Sequence, residues 1–352
     1  MDHIKILKRA FNITVNYRIL WIFGILLALT AGGGGANVGG GGNSSNTGNN
    51  GYNGNNPFGQ FPAFPQIGPD VINTLIGVAI GLACLILVLI VIGTIVRYVS
   101  ETAVIRMVNE HENSSEKLTF RQGWHLGWSR AAWKMFLIDL LAGLSFLVVL
   151  LAALLVAALP LLVWFTKSLP FEILGSIVAG GLILLVIFAA ILVGLALGLV
   201  LQFARRVVTL EDLGVIESIR RGFNLVKGRL MDVILMGVMM FGLTLVWSLL
   251  MIPVFLAIFL VAAVIAGLPA LLVGGIAGLF AQGATPWIIA AVVAGLIFLV
   301  VVLIPGSLVG GWQQIFTSST WTLTYRETLA LGKTNGNGEP PAPEAPAAPA
   351  AA

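Results

Sequence analysis

Charged side chains are scarce in this chain: they make up 10% of the residues, while hydrophobic residues make up 58%. A soluble globular domain carries about 25% charged and roughly 45–50% apolar residues, because a surface that faces water needs polar cover. The composition therefore excludes an ordinary soluble protein and indicates a membrane protein. The net charge of +4 predicts basic residues at the ends of membrane helices, and we expect no nucleic-acid partner.

Cysteine and histidine are also rare, with one cysteine and three histidines in the chain. Cys84 has no partner for an intrachain disulfide, so we expect a fold that does not depend on oxidation. The histidines form no HExxH or CxxC-type metal signature. His111 with Ser114 and Ser115 lacks the acid and the oxyanion hole of a catalytic triad. We therefore expect no metal, no cofactor and no enzymatic activity.

Long apolar runs dominate the rest of the sequence. About 20 apolar residues cross the hydrocarbon core of a bilayer, and the longer runs have room to tilt or to bend at Pro160 and Pro253. We predict an all-helical polytopic bundle of six transmembrane helices, arranged as three hairpins. A shorter run at 268–283 is expected to form a re-entrant segment or a surface helix. The candidate spans are 15–31, 71–96, 135–165, 173–204, 230–266 and 286–309.

Lysine and arginine are concentrated on one side of the membrane that these spans define. Of the 19 basic residues, all except Lys167 fall in four polar stretches at 1–18, 97–134, 205–229 and 326–333. Because the loops of membrane proteins that remain in the cytosol carry an excess of Lys and Arg, both termini are predicted to lie in the cytosol. We expect a multi-pass protein of a prokaryotic plasma membrane.

Two segments have a composition typical of disorder. Residues 32–70 are dominated by Gly and Asn and are predicted to form a disordered extracytoplasmic loop; a glycine-lined ligand loop would need a strand–turn–helix context that is missing. The Pro- and Ala-rich tail 334–352 is predicted to be disordered as well. The charged start followed by Ile19–Ala31 also fits a signal peptide. However, the charged start contains a motif that recurs twice later in the chain, so we predict that it belongs to a membrane domain spanning residues 1–333.

A seven-residue motif recurs before the first, third and fifth spans. Its pattern is apolar, basic, basic or amide, small, aromatic, Asn or His, and aliphatic. The repetition predicts three units, over about 1–110, 111–210 and 211–328, each with an amphipathic cytosolic helix followed by a membrane hairpin. The copies are Leu7–Ile13, Phe120–Leu126 and Ile219–Leu225.

The residue types of this motif suit a helix at the membrane surface. The aromatic ring can enter the headgroup region while the basic residues reach lipid phosphates, and the small residue lets another helix approach. The alternative is that these helices only pack against the bundle and anchor the spans. Candidate contacts to anionic phospholipid headgroups or to a cytosolic partner are Lys8, Arg9, Phe11, Arg121, Trp124, Arg220, Arg221 and Phe223.

Asp139 and Asp232 are acids inside apolar runs, where acids are costly and often functional. They follow Lys134 by five residues and Arg229 by three, so we interpret both as interfacial ion pairs rather than as a proton relay. A second acidic cluster is expected to form local pairs in a solvated loop rather than a catalytic carboxylate pair. It consists of Glu211, Asp212 and Glu217 among Arg205, Arg206, Arg220 and Arg221.

Two stretches carry a family resemblance. Val208–Gly228 joins an acidic segment to an Arg-rich aromatic helix, and Thr320–Glu327 places Thr, Tyr and Arg after the last span. In these features the chain resembles the membrane domain of the glycerophosphoryl diester phosphodiesterases and of related multipass prokaryotic proteins, over most of 97–328. That family's catalytic half is a separate soluble barrel, which nothing in this chain matches. The resemblance therefore implies a membrane bundle without phosphodiesterase activity.

The sequence favours a non-enzymatic scaffold or accessory protein that engages anionic lipids or a cytosolic partner. The alternative is a transporter or channel for a small or lipid-derived solute, which a continuous polar path between the hairpins would favour. A lipid-processing membrane enzyme is the second alternative, and it would need acids, His or Ser converging at one depth. Small residues at four-residue spacing, such as Gly77 with Gly81, permit close helix packing within the chain or in a homo-oligomer.

Overall fold

The computed structural model describes residues 1–30, 69–114, 117–166, 169–280 and 285–336, and these residues form helices and short connections without a β-strand. The predicted Gly- and Asn-rich loop lies outside the described residues up to residue 68, and so do Lys167 and the tail from 337 onward. Residues 69 and 70 begin a helix, and residues 334–336 end one.

Nine α-helices make up the described chain, and three of them are short and amphipathic. The short helices are α1, α4 and α7, and each is followed by a long apolar helix or, for α1, by the shorter α2. A 3-10 helix over Leu159–Thr166 continues α5. The α-helices are α1 His3–Asn16, α2 Ile19–Thr30, α3 Pro69–Ser114, α4 Phe120–Gly127, α5 Arg130–Ala158, α6 Leu169–Leu210, α7 Val215–Gly228, α8 Leu230–Phe280 and α9 Thr285–Gly336.

Among the described residues, five helices are long and apolar enough to cross a membrane. A sixth span results if α1 and α2, which are bent by 98° at their junction, count as one. The predicted all-helical membrane protein is thus confirmed in its class and in its approximate number of spans.

The prediction of a separate surface or re-entrant helix at 268–283 is wrong for the described part of that segment. Residues 268–280 continue α8, which holds both Pro253 and Pro269 in its interior. A proline removes one backbone hydrogen bond, and neighbouring groups in membrane helices compensate for the loss. No polar residue interrupts the apolar run, so the helix continues through it.

The short helices are amphipathic, and two of them, α1 and α4, begin at polar caps. The Asp2 carboxylate accepts a hydrogen bond from the Lys5 backbone N–H at 3.0 Å and so caps α1. At the start of α4, the Gln122 side chain accepts a hydrogen bond from the Thr119 backbone N–H at 2.8 Å. Such caps satisfy backbone donors that the first helical turn leaves free.

Each short helix packs on a long helix of the preceding unit, in a cyclic order. Helix α4 packs on α3, α7 packs on α6, and α1 packs on α9. The small residue of the motif makes two of these approaches possible. A Cβ atom added to Gly222 would lie 2.9 Å from the Ala204 backbone nitrogen of α6, and one added to Gly123 would overlap the Met107 sulfur of α3. In the first copy the corresponding Ala10 is fully buried.

Three arginines tie the same ends of α3, α6 and α9 together in a ring. Arg106 on α3 donates to the Thr209 carbonyl of α6 at 3.1 Å. Arg206 on α6 donates to the Ser318 carbonyl of α9 at 3.4 Å. Arg326 on α9 donates to the Asn109 carbonyl of α3 at 3.1 Å. Since each long helix holds the next, the three units are locked to one another at this end.

We call this end the polar layer: helices α1, α4 and α7 together with Tyr17 and the adjoining residues 97–114 of α3, 129–139 at the start of α5, 199–210 of α6 and 312–332 of α9. Its interior combines apolar residues such as Tyr17, Met107 and Phe203 with buried hydroxyls such as Thr322 and Thr324. The apolar windows of the five long spans are packed far less densely, with only 6% to 11% of their residues buried.

Candidate membrane-surface site

An ion-pair network lies where α3, α5 and α6 meet in the polar layer. The Arg205 guanidinium donates to the Asp139 carboxylate at 2.8 and 3.0 Å and lies 3.2 Å from Glu101. The Tyr98 hydroxyl donates to the same Asp139 carboxylate at 3.0 Å. The predicted partner of Asp139, Lys134, was therefore wrong. The acid reaches across to another helix, where a guanidinium can bind it with two donors.

Lys134 instead pairs with the turn between α6 and α7. Its ammonium group lies 2.7 Å from the Asp212 carboxylate and donates to the Asp212 carbonyl at 2.9 Å. The hydrogen bond from Lys134 holds the pKa of Asp212 below its ordinary value. Asp212 adopts a φ of 53°, a left-handed conformation that Asp tolerates better than most residues. The expected local pairing of Asp212 within its own segment was thus wrong.

Two further acids of the sequence, Glu211 and Asp232, also have partners. Glu211 lies 2.6 Å from Arg221 and accepts a hydrogen bond from the Tyr325 hydroxyl at 2.5 Å. Asp232 lies 3.6 Å from Arg229 and 3.8 Å from the N-terminal amine. These acids join short helices to long ones, so they act as structural links in the polar layer.

Three of the six candidate headgroup contacts in the first and third motif copies take part in packing or in ion pairs. Arg9 on α1 forms an ion pair with Glu112 of α3, and the Phe11 ring meets the Trp312 ring edge-on at 5.7 Å. On α7, Arg221 pairs with Glu211. The remaining candidates of these two copies, Lys8, Arg220 and Phe223, are exposed.

The second copy differs because its residues line a cavity. Arg121 and Trp124 of α4 line a space of about 840 Å³, together with Leu118, Gln122, His125, Leu126 and Trp128. The Trp124 and Trp128 rings stack with their centroids 6.3 Å apart. Arg121 is exposed and makes no ion pair with any described residue. A guanidinium beside two indole rings is a suitable surface for an anionic group attached to an apolar chain.

The structure therefore separates the eight candidates into three groups. Arg9, Phe11 and Arg221 contact other helices or turns of the protein through ion pairs or ring packing. Lys8, Arg220 and Phe223 are exposed, and Arg121 and Trp124 share a cavity. Sequence reasoning missed Trp128 as a wall of this cavity, although its position four residues after Trp124 on the same helical face was a usable signal.

A family profile described as a family of unknown function, DUF7544, matches residues 9–335. No curated protein and no solved structure matches the chain. The resemblance to the membrane domain of the glycerophosphoryl diester phosphodiesterases stays a prediction.

Proposed function

The chain belongs to this family of unknown function, and we propose that it is a non-enzymatic membrane protein that engages anionic phospholipids through α4. In this role it serves as a scaffold or accessory protein in a prokaryotic plasma membrane. The observation that carries the proposal is the cavity of about 840 Å³ in which Arg121 and two tryptophans stand together. Tryptophans are typical of the membrane–water interface, where one end of the ring system is apolar and the other is wet.

The proposal includes an orientation. We infer six spans in three hairpins, with the polar layer and both termini in the cytosol. Three observations support this inference. The polar layer holds the basic stretches, the consecutive helices α5 and α6 pack together as do α8 and α9, and the short helices all lie at one end of the long ones. Basic residues beside spans keep their loops in the cytosol.

The cavity and the charges together explain why α4 rather than α1 or α7 is proposed to bind the headgroup. Lys8 and Arg220 are exposed as well, but neither lines the cavity. Arg9 and Arg221 have acidic partners within the protein, and a lipid phosphate would have to compete with those carboxylates. Arg121 has no such competitor among the described residues. It is therefore free to contribute the attraction of about 1 kcal/mol that a basic residue near an anionic surface provides.

Replacement of Arg121 by glutamate tests this proposal. An attraction of about 1 kcal/mol corresponds to roughly a fivefold change in affinity, and charge reversal adds repulsion. We expect Arg121→Glu to lower the preference of the purified protein for phosphatidylglycerol over phosphatidylcholine at least about fivefold, measured by native mass spectrometry during lipid titration.

Arg220→Glu is the matched control, because it makes the same charge change at an exposed position of α7. It should leave most of the lipid preference intact. An equal loss in both variants would show that only total charge matters. An unchanged preference in a folded Arg121→Glu protein would rule out α4 as the lipid site.

A transporter for a small anionic solute is a second candidate, and one observation favours it. Arg206 is 1% exposed, and its Nε has no hydrogen-bond partner in the described structure. The same holds for the buried hydroxyls of Ser100, Thr102, Ser318 and Ser319, which lie on α3 and α9. Unpaired buried polar groups are costly, so polar atoms in this number suggest an interior that a solute or water enters.

Flux measurements separate the two candidates. If the polar interior conducts small anions, proteoliposomes loaded with inorganic phosphate would release it faster than liposomes without protein. Arg206→Gln would abolish this difference in release rate. Release at the background rate would leave lipid engagement as the proposed function.

A further inference from the structure

A groove of about 740 Å³ runs between α3 and α5, separate from the cavity beside α4. Ile90, Val91, Thr94 and Ile95 form its wall on α3, and Trp133 and Phe136 belong to its wall on α5. The volume lies within the range of about 300–1,000 Å³ that is typical of small-ligand sites. Its surface is predominantly apolar, so a hydrocarbon chain fits it.

The groove has one polar end. Helix α3 enters the polar layer at its C-terminal part, whereas α5 begins within it at Arg130. Therefore the residues Tyr98, Ser129 and Arg130 lie at the polar-layer end of the groove, and Ile90 and Val91 lie toward the apolar interior of the spans. The groove is apolar along its length and has basic and hydroxyl groups at its polar-layer end. This polarity matches that of a phospholipid whose headgroup lies at the level of the polar layer.

The polar end contains a buried hydroxyl that the protein does not use. Ser129 occupies the N-cap position of α5 but makes no side-chain cap hydrogen bond, although a serine at this position ordinarily binds a backbone N–H of the first turn. Its Oγ is buried and has no hydrogen-bond partner among the described residues. Because Ser129 lines the groove, a rotation of its side chain would bring the hydroxyl to a ligand there.

Arg130 adds the charge that selects among lipids. It is exposed, lines the groove, and forms no ion pair within the described structure. It also starts α5, whose N-terminal backbone carries a partial positive charge. A phosphate at this position would therefore meet a guanidinium, a hydroxyl donor and a helix N-terminus together.

We propose that the groove holds one acyl chain of an anionic glycerophospholipid of the cytosolic leaflet, with its phosphate at Ser129 and Arg130. The inference rests on the proposed membrane orientation, and it deepens the lipid-engaging function by assigning a second, structurally distinct site. The cavity beside α4 offers a surface to headgroups, whereas this groove retains a single lipid by its chain. Trp128 lines both sites and separates them.

The test is to fill the groove with a larger side chain. Thr94 lines the groove, and Thr94→Trp would occupy the space of the acyl chain. The matched control is Ile92→Trp, because Ile92 lies on the same helix, is 52% exposed and does not belong to the groove wall. Native mass spectrometry of the full chain, purified in mild detergent and exchanged into phosphatidylglycerol, counts the lipids that remain bound.

We expect the wild-type protein and Ile92→Trp to retain one lipid that Thr94→Trp loses, with an occupancy at least tenfold lower in that variant. Arg130→Gln, which leaves the groove open, should keep a bound lipid but lose the preference for phosphatidylglycerol over phosphatidylcholine. Equal retention in Thr94→Trp and Ile92→Trp, or an unchanged preference in Arg130→Gln, would overturn the proposal.

Fluorescence gives a readout that does not depend on the fold of the Thr94→Trp variant. Phosphatidylglycerol brominated on its acyl chains should quench the emission of Trp133 at the groove, and Trp133→Phe should remove that part of the quenching. Failure of Arg121→Glu to change lipid preference, together with normal quenching of Trp133, would reject the α4 site and keep the groove. A lower lipid preference in Arg121→Glu, together with no quenching of Trp133, would reject the groove and keep the α4 site.

Discussion

The polar layer and the membrane spans of this protein are stabilised in different ways. In the polar layer, side chains from all three units are buried and linked by arginines, whereas the apolar windows of the spans bury only 6% to 11% of their residues. In water such exposed apolar surface would be unfavourable, but lipid tails solvate Leu, Ile and Val as well as another helix does. The comparison teaches that the specific arrangement of the helices is determined at the polar end.

Removal of Arg205 is expected to have the largest effect, because it breaks the polar layer directly. Arg205→Met would leave Glu101 and Asp139 as charges without their shared partner. Removal of one member of a buried ion pair costs about 3–5 kcal/mol. We expect a strong decrease in the temperature of unfolding in detergent, measured by near-ultraviolet circular dichroism. The control Arg220→Met changes an exposed arginine and should alter the stability by less than about 0.5 kcal/mol; similar losses in both would contradict the role of the network.

A pair of large-to-small substitutions compares the two regions side by side. Met236 is fully buried against the polar layer, whereas Leu144 is 57% exposed within a span. Met236→Ala should cost about 2–5 kcal/mol, since it leaves a cavity, and Leu144→Ala should cost much less. Chemical denaturation in the same detergent measures both. If Leu144→Ala were equally destabilising, the spans would have to pack more tightly than the structure shows.

The smallest expected effect concerns the exposed pair of Lys134 and Asp212. The pKa of Asp212 is lowered in the folded protein, so its stabilising contribution is present above the unfolded pKa of about 3.9 and is lost as the pH falls through the folded value. Exposed ion pairs contribute about 1 kcal/mol or less. Asparagine tolerates the left-handed backbone, so Asp212→Asn should lower the unfolding temperature slightly at pH 6 and by less at pH 2.5. A constant difference at both pH values would exclude the ion pair as the cause.

Local patterns in the sequence predicted the helices well and the long-range contacts poorly. The amphipathic motif identifies α1, α4 and α7, because its spacing depends only on neighbouring residues. The partners of Asp139 and Lys134 were assigned wrongly, since nearby residues were favoured and the true partners lie 66 and 78 residues away. The continuity of α8 through residues 268–280 was missed because the run 268–283 was treated as a short segment separate from the span 230–266.

The candidate site was predicted in part. Arg121 and Trp124 were identified by the motif, and both line the cavity beside α4. The motif could not show that Arg9 has an acidic partner, because Glu112 lies on α3. The pair of Arg221 with Glu211, in the turn before α7, falls within the acidic cluster that the sequence identifies. Nor could it show the groove between α3 and α5, whose walls combine residues near 94 with residues near 133. Such sites depend on which helices become neighbours, and a single sequence does not state this.

The cyclic packing of the short helices has a consequence for folding during synthesis. Helix α1 is made before all the other described helices, yet the surface that covers it belongs to α9, which the ribosome completes last. Throughout synthesis, the buried face of α1 with Ala10 and Ile13 therefore has no permanent partner. Helices α4 and α7 can pack on α3 and α6 as soon as they are synthesised, whereas α1 can pack on α9 only after α9 has been synthesised.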